Sequence, residues 1–142
     1  MTEQGKQLLL IDLCARLPYG VKAWYKYGAW FSEKFATSIR LADEKIALSS
    51  KFNKEGDWFP IEEAGKILIK PYLRPMSSMT EEEKVQLSQY ACIGEDLNGE
   101  FIDEVQRKDC APYIDWLNKH HFDYHGLIEK GLALEAPKGM YN

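Results

Sequence analysis

"VKAWYKYGAWFSEKFATSIRLADEKIALSSKF", residues 21–52, is the stretch whose reading decides the fold. Val21, Ala23 and Tyr25 alternate with Lys22, Trp24 and Lys26. That period of two belongs to a strand with one buried face. The stretch is rich in aromatic and β-branched residues, which suit a pleated surface, and is interrupted by Gly28 and Asp43. "FATSIRLA" and "KIALSSKF" read as two strands around the turn "ADEK". "NKEGDW" is a loop by its Asn, Gly and Asp content. "KILIKPYLRP" reads as a last strand that stops near Pro71, because proline lacks an N–H donor. Short strands with tight turns predict a small, strongly curved antiparallel sheet from about Val21 to Ile69. Closure as an SH3-like barrel is the simplest way to remove its edges.

The flanks read as helix. In "KQLLLIDLCARLPYG", Leu9, Leu13 and Leu17 recur at helical spacing, with Leu10 and Cys14 on the adjacent row. Pro18 and Gly20 end the helix. A strand is the competing reading of this short Leu-rich run. Thr80 and Glu83 in "MTEEEKVQLSQYACIG" form a capping box at a helix start. Glu81, Glu82 and Glu83 suit the positive end of its dipole. Val85, Gln89 and Cys92 give that helix an apolar row, with Leu87, Tyr90 and Ala91 near it, and Gly94 stops it. Asn98–Gly99 marks a turn, and Phe101 and Val105 suit a short helix. Pro112 opens another, in which Tyr113, Trp116, Leu117 and His120 share a face. Asp123 caps a second short helix in "YHGLIEK", closed by Gly131. "LALEAP" is a short strand or an extended tail. The fold class is therefore α+β: an N-terminal helix, a curved sheet and a helical C-terminal part.

The 142 residues fit one domain, large enough to bury a core without staples. Net charge is −4 but uneven. Residues 1–79 hold 12 Lys/Arg against 9 Asp/Glu, a balance of +3, while the acidic residues 80–142 hold 6 against 13, a balance of −7. Two oppositely charged solvated faces of one domain are the plainer reading. The sharper one is nucleic-acid binding. Lys22, Lys26, Lys34, Arg40, Lys45 and Lys51 would meet phosphates, and Trp24, Tyr25 or Trp30 would stack on bases. The overall negative charge counts against it.

All the histidines lie in "HHFDYH", His120 to His125. His120, His121 and Asp123 are the candidate metal ligands. On an unbroken helix His121 and His125 would share a face, the geometry that zinc sites use. The zinc-protease pattern needs Glu after the first histidine, and Phe122 stands there. The plainer reading is a helix C-terminus with Trp116, Leu117, Phe122, Tyr124 and Leu127 packed against the sheet as a joint between the two parts. A catalytic histidine needs a neighbouring nucleophile or substrate pocket, and the sequence shows neither. Glycine-rich phosphate loops and the Gly-x-Ser-x-Gly elbow are absent. No cofactor is expected. Cys14, Cys92 and Cys110 are odd in number and lack metal-ligand spacing, so they read as reduced thiols, with Cys14 buried. No apolar run approaches a membrane span and no signal-peptide pattern opens the chain, so a cytoplasmic protein is expected.

Three segments, "LLLIDLCARLPYGVK", "KPYLRPMSSMTEEE" and "NKHHFDYHGLIEKGLALEAPKGMYN", carry a resemblance. They resemble an uncharacterised family of short proteins from gut Bacteroides-type bacteria, their phages and integrated elements. The resemblance implies a prophage or mobile-element setting and no activity. It also implies arginine at the position of His125, which speaks against an essential ligand there. The expected function is a non-enzymatic interaction module with a protein partner. A nucleic-acid-binding small β-barrel and a metal-dependent hydrolase at His120–His125 are the alternatives.

Overall fold

The computed structural model of the chain describes residues 2–27, 30–52, 54, 56–90 and 111–141. The expected turn at Asn98–Gly99, the helix around Phe101 and Val105, and Cys92, Gly94 and Cys110 fall outside the described residues.

Helix α1 spans Glu3–Arg16. Thr2 caps it, its hydroxyl accepting from the Gly5 amide at 3.0 Å. A 3₁₀ turn, Leu17–Tyr19, follows, and Gly20 at φ +73° ends the segment. Leu9, Leu10 and Leu13 are buried, as the periodicity predicts. Cys14 is exposed, which corrects its expected burial. The helix turns the row Leu9–Asp12–Leu13–Arg16 inward, so two charged residues take the place that Cys14 was expected to share.

The strands are β1 (Lys22–Tyr27), β2 (Trp30–Arg40), β3 (Lys45–Ser49), β4 (Asp57–Pro60), β5 (Glu62–Glu63), β6 (Lys66–Ile67), β7 (Ile69–Leu73) and β8 (Leu134–Glu135). One six-stranded sheet has the order β4-β3-β2-β1-β7-β8, and β5 and β6 form a separate hairpin. Among the described residues the strands pair antiparallel except β7 with β8, and Arg74 and Phe122 form an isolated parallel bridge. The α+β reading holds, but the expected barrel closure is not seen. The sheet is open and mixed. Its inner face is covered by α1 and by residues 127–133, which bury Leu127, Leu132 and Ala133 in the same cluster as Leu9, Leu13, Val21, Ala23, Ile46, Leu48 and Ile69. A covered face needs no closure. The turn between β2 and β3 is where the sequence puts it. The approach of residue 56 to β3 admits only glycine, since a Cβ there would lie 1.7 Å from the Leu48 carbonyl oxygen.

Pro71 does not end the last strand. It lies inside β7, opposite Ala23. Lys26 N–H donates to the Leu68 carbonyl, so even-numbered residues of this segment turn their polar groups to β1. Leu73 accepts from Ala136 N–H, so odd-numbered ones face the other edge. Pro71 thus lacks its N–H on the side away from β1, ahead of the β8 pairing, where no ladder bond is lost.

Helix α2 spans Glu81–Ser88 and carries the expected capping box, with Thr80 N–H donating to Glu83 Oε1 at 3.1 Å and Glu83 N–H to Thr80 Oγ1 at 3.2 Å. Its buried residue is Leu87; Val85, expected on the apolar row, is exposed. Helix α3 spans Ala111–Lys119. Leu87, Trp116, Leu117 and Phe122 form a second apolar cluster, distinct from the one under the sheet. The expected second helix after Asp123 is instead a run of turns. The Asp123 carboxylate accepts from Leu127 and Ile128 N–H at 2.8 and 3.0 Å, and holds the turns without a helix.

Candidate functional site

Two groups of residues were singled out by sequence, and the fold treats them differently. The histidine corner begins where α3 stops. His121 N–H donates to the Asn118 carbonyl and Phe122 N–H to that of Leu117. This pair of bonds is a Schellman motif, with His121 in the left-handed slot at φ +60°. Glycine usually takes that slot, and an L-residue there costs about 1–2 kcal/mol. The ring accounts for a histidine at this place. It is buried and stacks on Tyr141 at 3.9 Å, and its Nδ1 has no hydrogen-bond partner among the described residues. Burial, aided by the nearby Arg16 charge, pushes its pKa down to about 3, so the ring is neutral at neutral pH.

The His120 ring lies tilted against Trp116, with ring centres 4.2 Å apart, and burial lowers its pKa. Asp123 spends both oxygens on the turn below it. His120, His121 and Asp123 are therefore adjacent in sequence but engaged separately. Among the described residues no group of three His, Cys, Asp or Glu side chains is arranged to hold a metal ion.

His125 belongs to a different set. Its Nδ1 lies 2.8 Å from Asp12 Oδ2, and Asp12 accepts from Arg16 Nε at 2.6 Å and Nη2 at 3.0 Å. Asp12 and Arg16 side chains are both 0% exposed, while that of His125 is 24% exposed. Arg16 Nη2 also donates to the Phe122 carbonyl, and its guanidinium lies 5.3 Å from the Tyr124 ring centre. Burial raises the Asp12 pKa, but the bonds from His125 and Arg16 outweigh it and hold the carboxyl below its usual range. The carboxylate is ionised, and it ties α1 to the corner.

Two more residues complete this joint. Arg74 makes paired bonds to Glu83 at 2.7 and 2.6 Å and lies 4.1 Å from the Phe122 ring centre. Its backbone N–H and carbonyl pair with residues 121 and 123. Glu83 is held down to about 2, chiefly by Arg74. Tyr141 inserts its hydroxyl between β1 and β7. It accepts from Lys22 N–H at 2.9 Å and donates to the Tyr72 carbonyl at 2.7 Å.

The basic stretch forms the other group. The register puts Lys22, Trp24 and Lys26 on the outer face of β1, opposite Phe35, Glu33 and Phe31. On β7, Lys70 pairs with Trp24 and so continues that face. A register shift between Ala36 and Ser38 keeps Arg40 and Lys45 on it too, and Arg40 stacks 4.2 Å over Trp58 of β4. Lys34 does not join them. It pairs with Ala23 and lies 5.9 Å from the Tyr25 ring, on the inner side. Tyr25 is buried there, its ring tilted against that of Phe59. Lys51 is exposed beyond the end of β3. Trp30 is the first residue of β2. Part of the outer face is already neutralised: Lys22 lies 3.9 Å from Glu33, and Arg40 bonds Asp43. Trp58, Lys70 and Tyr72 were missed as members of this face. Only the pairing register, which the sequence does not print, brings them to it.

Among the described residues no helix is long and apolar enough to cross a membrane. Compared with family models, curated proteins and solved structures, the chain matches none.

Proposed function

We propose that this chain is a non-enzymatic interaction module of a phage or mobile element, and that it meets its partner with the outer face of the sheet. The observation that carries this reading is the register itself. It gathers Lys22, Trp24, Lys26, Arg40, Lys45, Trp58 and Lys70, which are dispersed in sequence, onto one face. In the histidine corner, by contrast, His125 and Asp123 are engaged in internal bonds. The setting rests on the resemblance of the three segments and on nothing in the geometry. An acidic protein surface is the complementary partner. The direct test is a pair of variants, Lys26→Glu and Lys45→Glu, in partner capture from a host lysate. Loss of one specific partner, with the urea midpoint unchanged, supports the reading. Capture that is indifferent to both substitutions removes it.

A second reading, single-stranded nucleic acid, is favoured by one arrangement: Trp24 is half-buried between Lys22 and Lys26, beside Lys70. A stacked base flanked by phosphate contacts fits it. Anisotropy of a labelled mixed-sequence single strand, at low and at moderate salt, tests it. Binding should fall steeply with salt. The absence of binding at low salt, or salt-independent binding, removes this reading. A metal-dependent hydrolase at His120, His121 and Asp123 is the enzymatic rival. Stoichiometric Zn, Mn or Fe in the purified protein, lost on His121→Ala, would overturn the non-enzymatic proposal.

A further inference from the structure

A cleft of about 710 Å³ lies between the first turns of α1, the β5–β6 hairpin and the turns after Asp123. Its volume is that of a small-molecule site. Leu8, Ile67 and Leu132 give it an apolar lining. Among the described residues its charged lining is Lys66, Lys70 and Lys130, with no acidic residue beside them.

The lysines here differ from their neighbour Lys6. Lys6 is buried among Glu3, Glu44 and Glu62, at 3.2, 2.9 and 3.4 Å, so its charge is already matched. Among the described residues Lys66 and Lys70 have no carboxylate within 4.0 Å, and Lys130 reaches the His125 carbonyl at 3.3 Å. Lys70 stands on the edge of β7 ahead of the β8 pairing, which puts it at the rim. Three like charges drawn together around an apolar cleft repel one another, and an anion relieves that repulsion.

We propose that this cleft binds a small amphipathic anion, with a carboxylate or phosphate head at the lysines and an apolar body against Leu8, Ile67 and Leu132. The two heads share the chemistry, and the choice of probe separates them. The site meets the outer face at Lys70, but Lys66 and Lys130 lie off that face, and Lys26 lies off this cleft.

The experiment is calorimetric titration of the full chain with decanoate and with decyl phosphate, and with decanol as the uncharged control. Saturable binding of either anion at one site is expected, with decanol at least about tenfold weaker, the size of one charge-assisted contact. The double variant Lys66→Gln/Lys130→Gln should weaken the anion at least about tenfold. Both residues are exposed, so its urea midpoint should match that of the wild type. Lys26→Ala should leave this titration unchanged whatever it does at the sheet face. Equal binding of decanol, full affinity in the double variant, or no saturable binding of either anion would each overturn the proposal.

Discussion

The carboxylate of Asp12 is the most consequential polar group in the fold, and its removal gives the sharpest test of the joint. It is 0% exposed and takes two bonds from Arg16 and one from His125. Asp12→Ala deletes those bonds at once. Arg16, itself 0% exposed, would then keep the Phe122 carbonyl and the Tyr124 ring as partners. Breaking a buried ion pair on one side costs about 3–5 kcal/mol, because the remaining charge stays desolvated. At a urea slope of about 2 kcal/mol/M, the midpoint should fall by roughly 1.5–2.5 M. Replacing both charges with apolar groups of similar shape should recover most of this. Asp12→Leu/Arg16→Met should therefore lie within about 1–2 kcal/mol of the wild type, giving a large coupling energy in the double-mutant cycle. Equilibrium urea melts followed by tryptophan fluorescence and by far-UV circular dichroism measure all of this. Additive effects, or an Asp12→Ala cost below about 1 kcal/mol, would refute the claim that a desolvated pair ties α1 to the corner. His125 gives a graded control. His125→Arg should cost little, since a guanidinium reaches the same carboxylate, whereas His125→Ala should cost about 1 kcal/mol.

Trp116 is 6% exposed in the second cluster, and Trp116→Ala should cost about 3–5 kcal/mol in the same melts. His121 has a folded pKa pushed down to about 3, below its unfolded value near 6.5. The unfolded chain therefore binds the proton first, and stability should be full above about pH 6.5 and fall as pH drops toward 3. His121→Asn, which tolerates the left-handed slot, should flatten that slope in melts at pH 7.5, 6 and 5; an unchanged slope would mean that the ring is not neutral and buried. Glu83 adds a loss at lower pH, from its unfolded range near 4.5 down to about 2, and Glu83→Gln should remove it. Tyr141→Phe should cost about 1–3 kcal/mol by unbridging Lys22 and Tyr72, and amide exchange at Lys22 should speed up.

What could be read from sequence and what could not divide along chain distance. The alternation at Val21–Lys26 and the capping box at Thr80 and Glu83 are local signals, and each has its structural counterpart in place. Pro71 misled because the rule against proline concerns a missing donor, and only the register tells whether a partner was waiting for that donor. Tyr141 to Lys22 spans 119 positions and Arg16 to Phe122 spans 106, so no periodicity announces either contact. One signal at the joint was nevertheless present. Leu9, Asp12, Leu13 and Arg16 fall at i, i+3, i+4 and i+7, a single helical row, and two of the four are charged. A solvated row does not need two leucines, and a buried row does not tolerate two charges unless they pair. The i, i+4 spacing lets Asp12 and Arg16 pair with each other, but a carboxylate and a guanidinium together hold more donors and acceptors than one pair can satisfy. The remainder had to come from outside the helix. Part of it comes from His125, the Phe122 carbonyl and the Tyr124 ring, all in "HHFDYH", while Arg16 Nη1 has no hydrogen-bond partner among the described residues. The charged pair on the leucine row and the histidine-rich corner are therefore two halves of one structural device, and neither half explains itself alone.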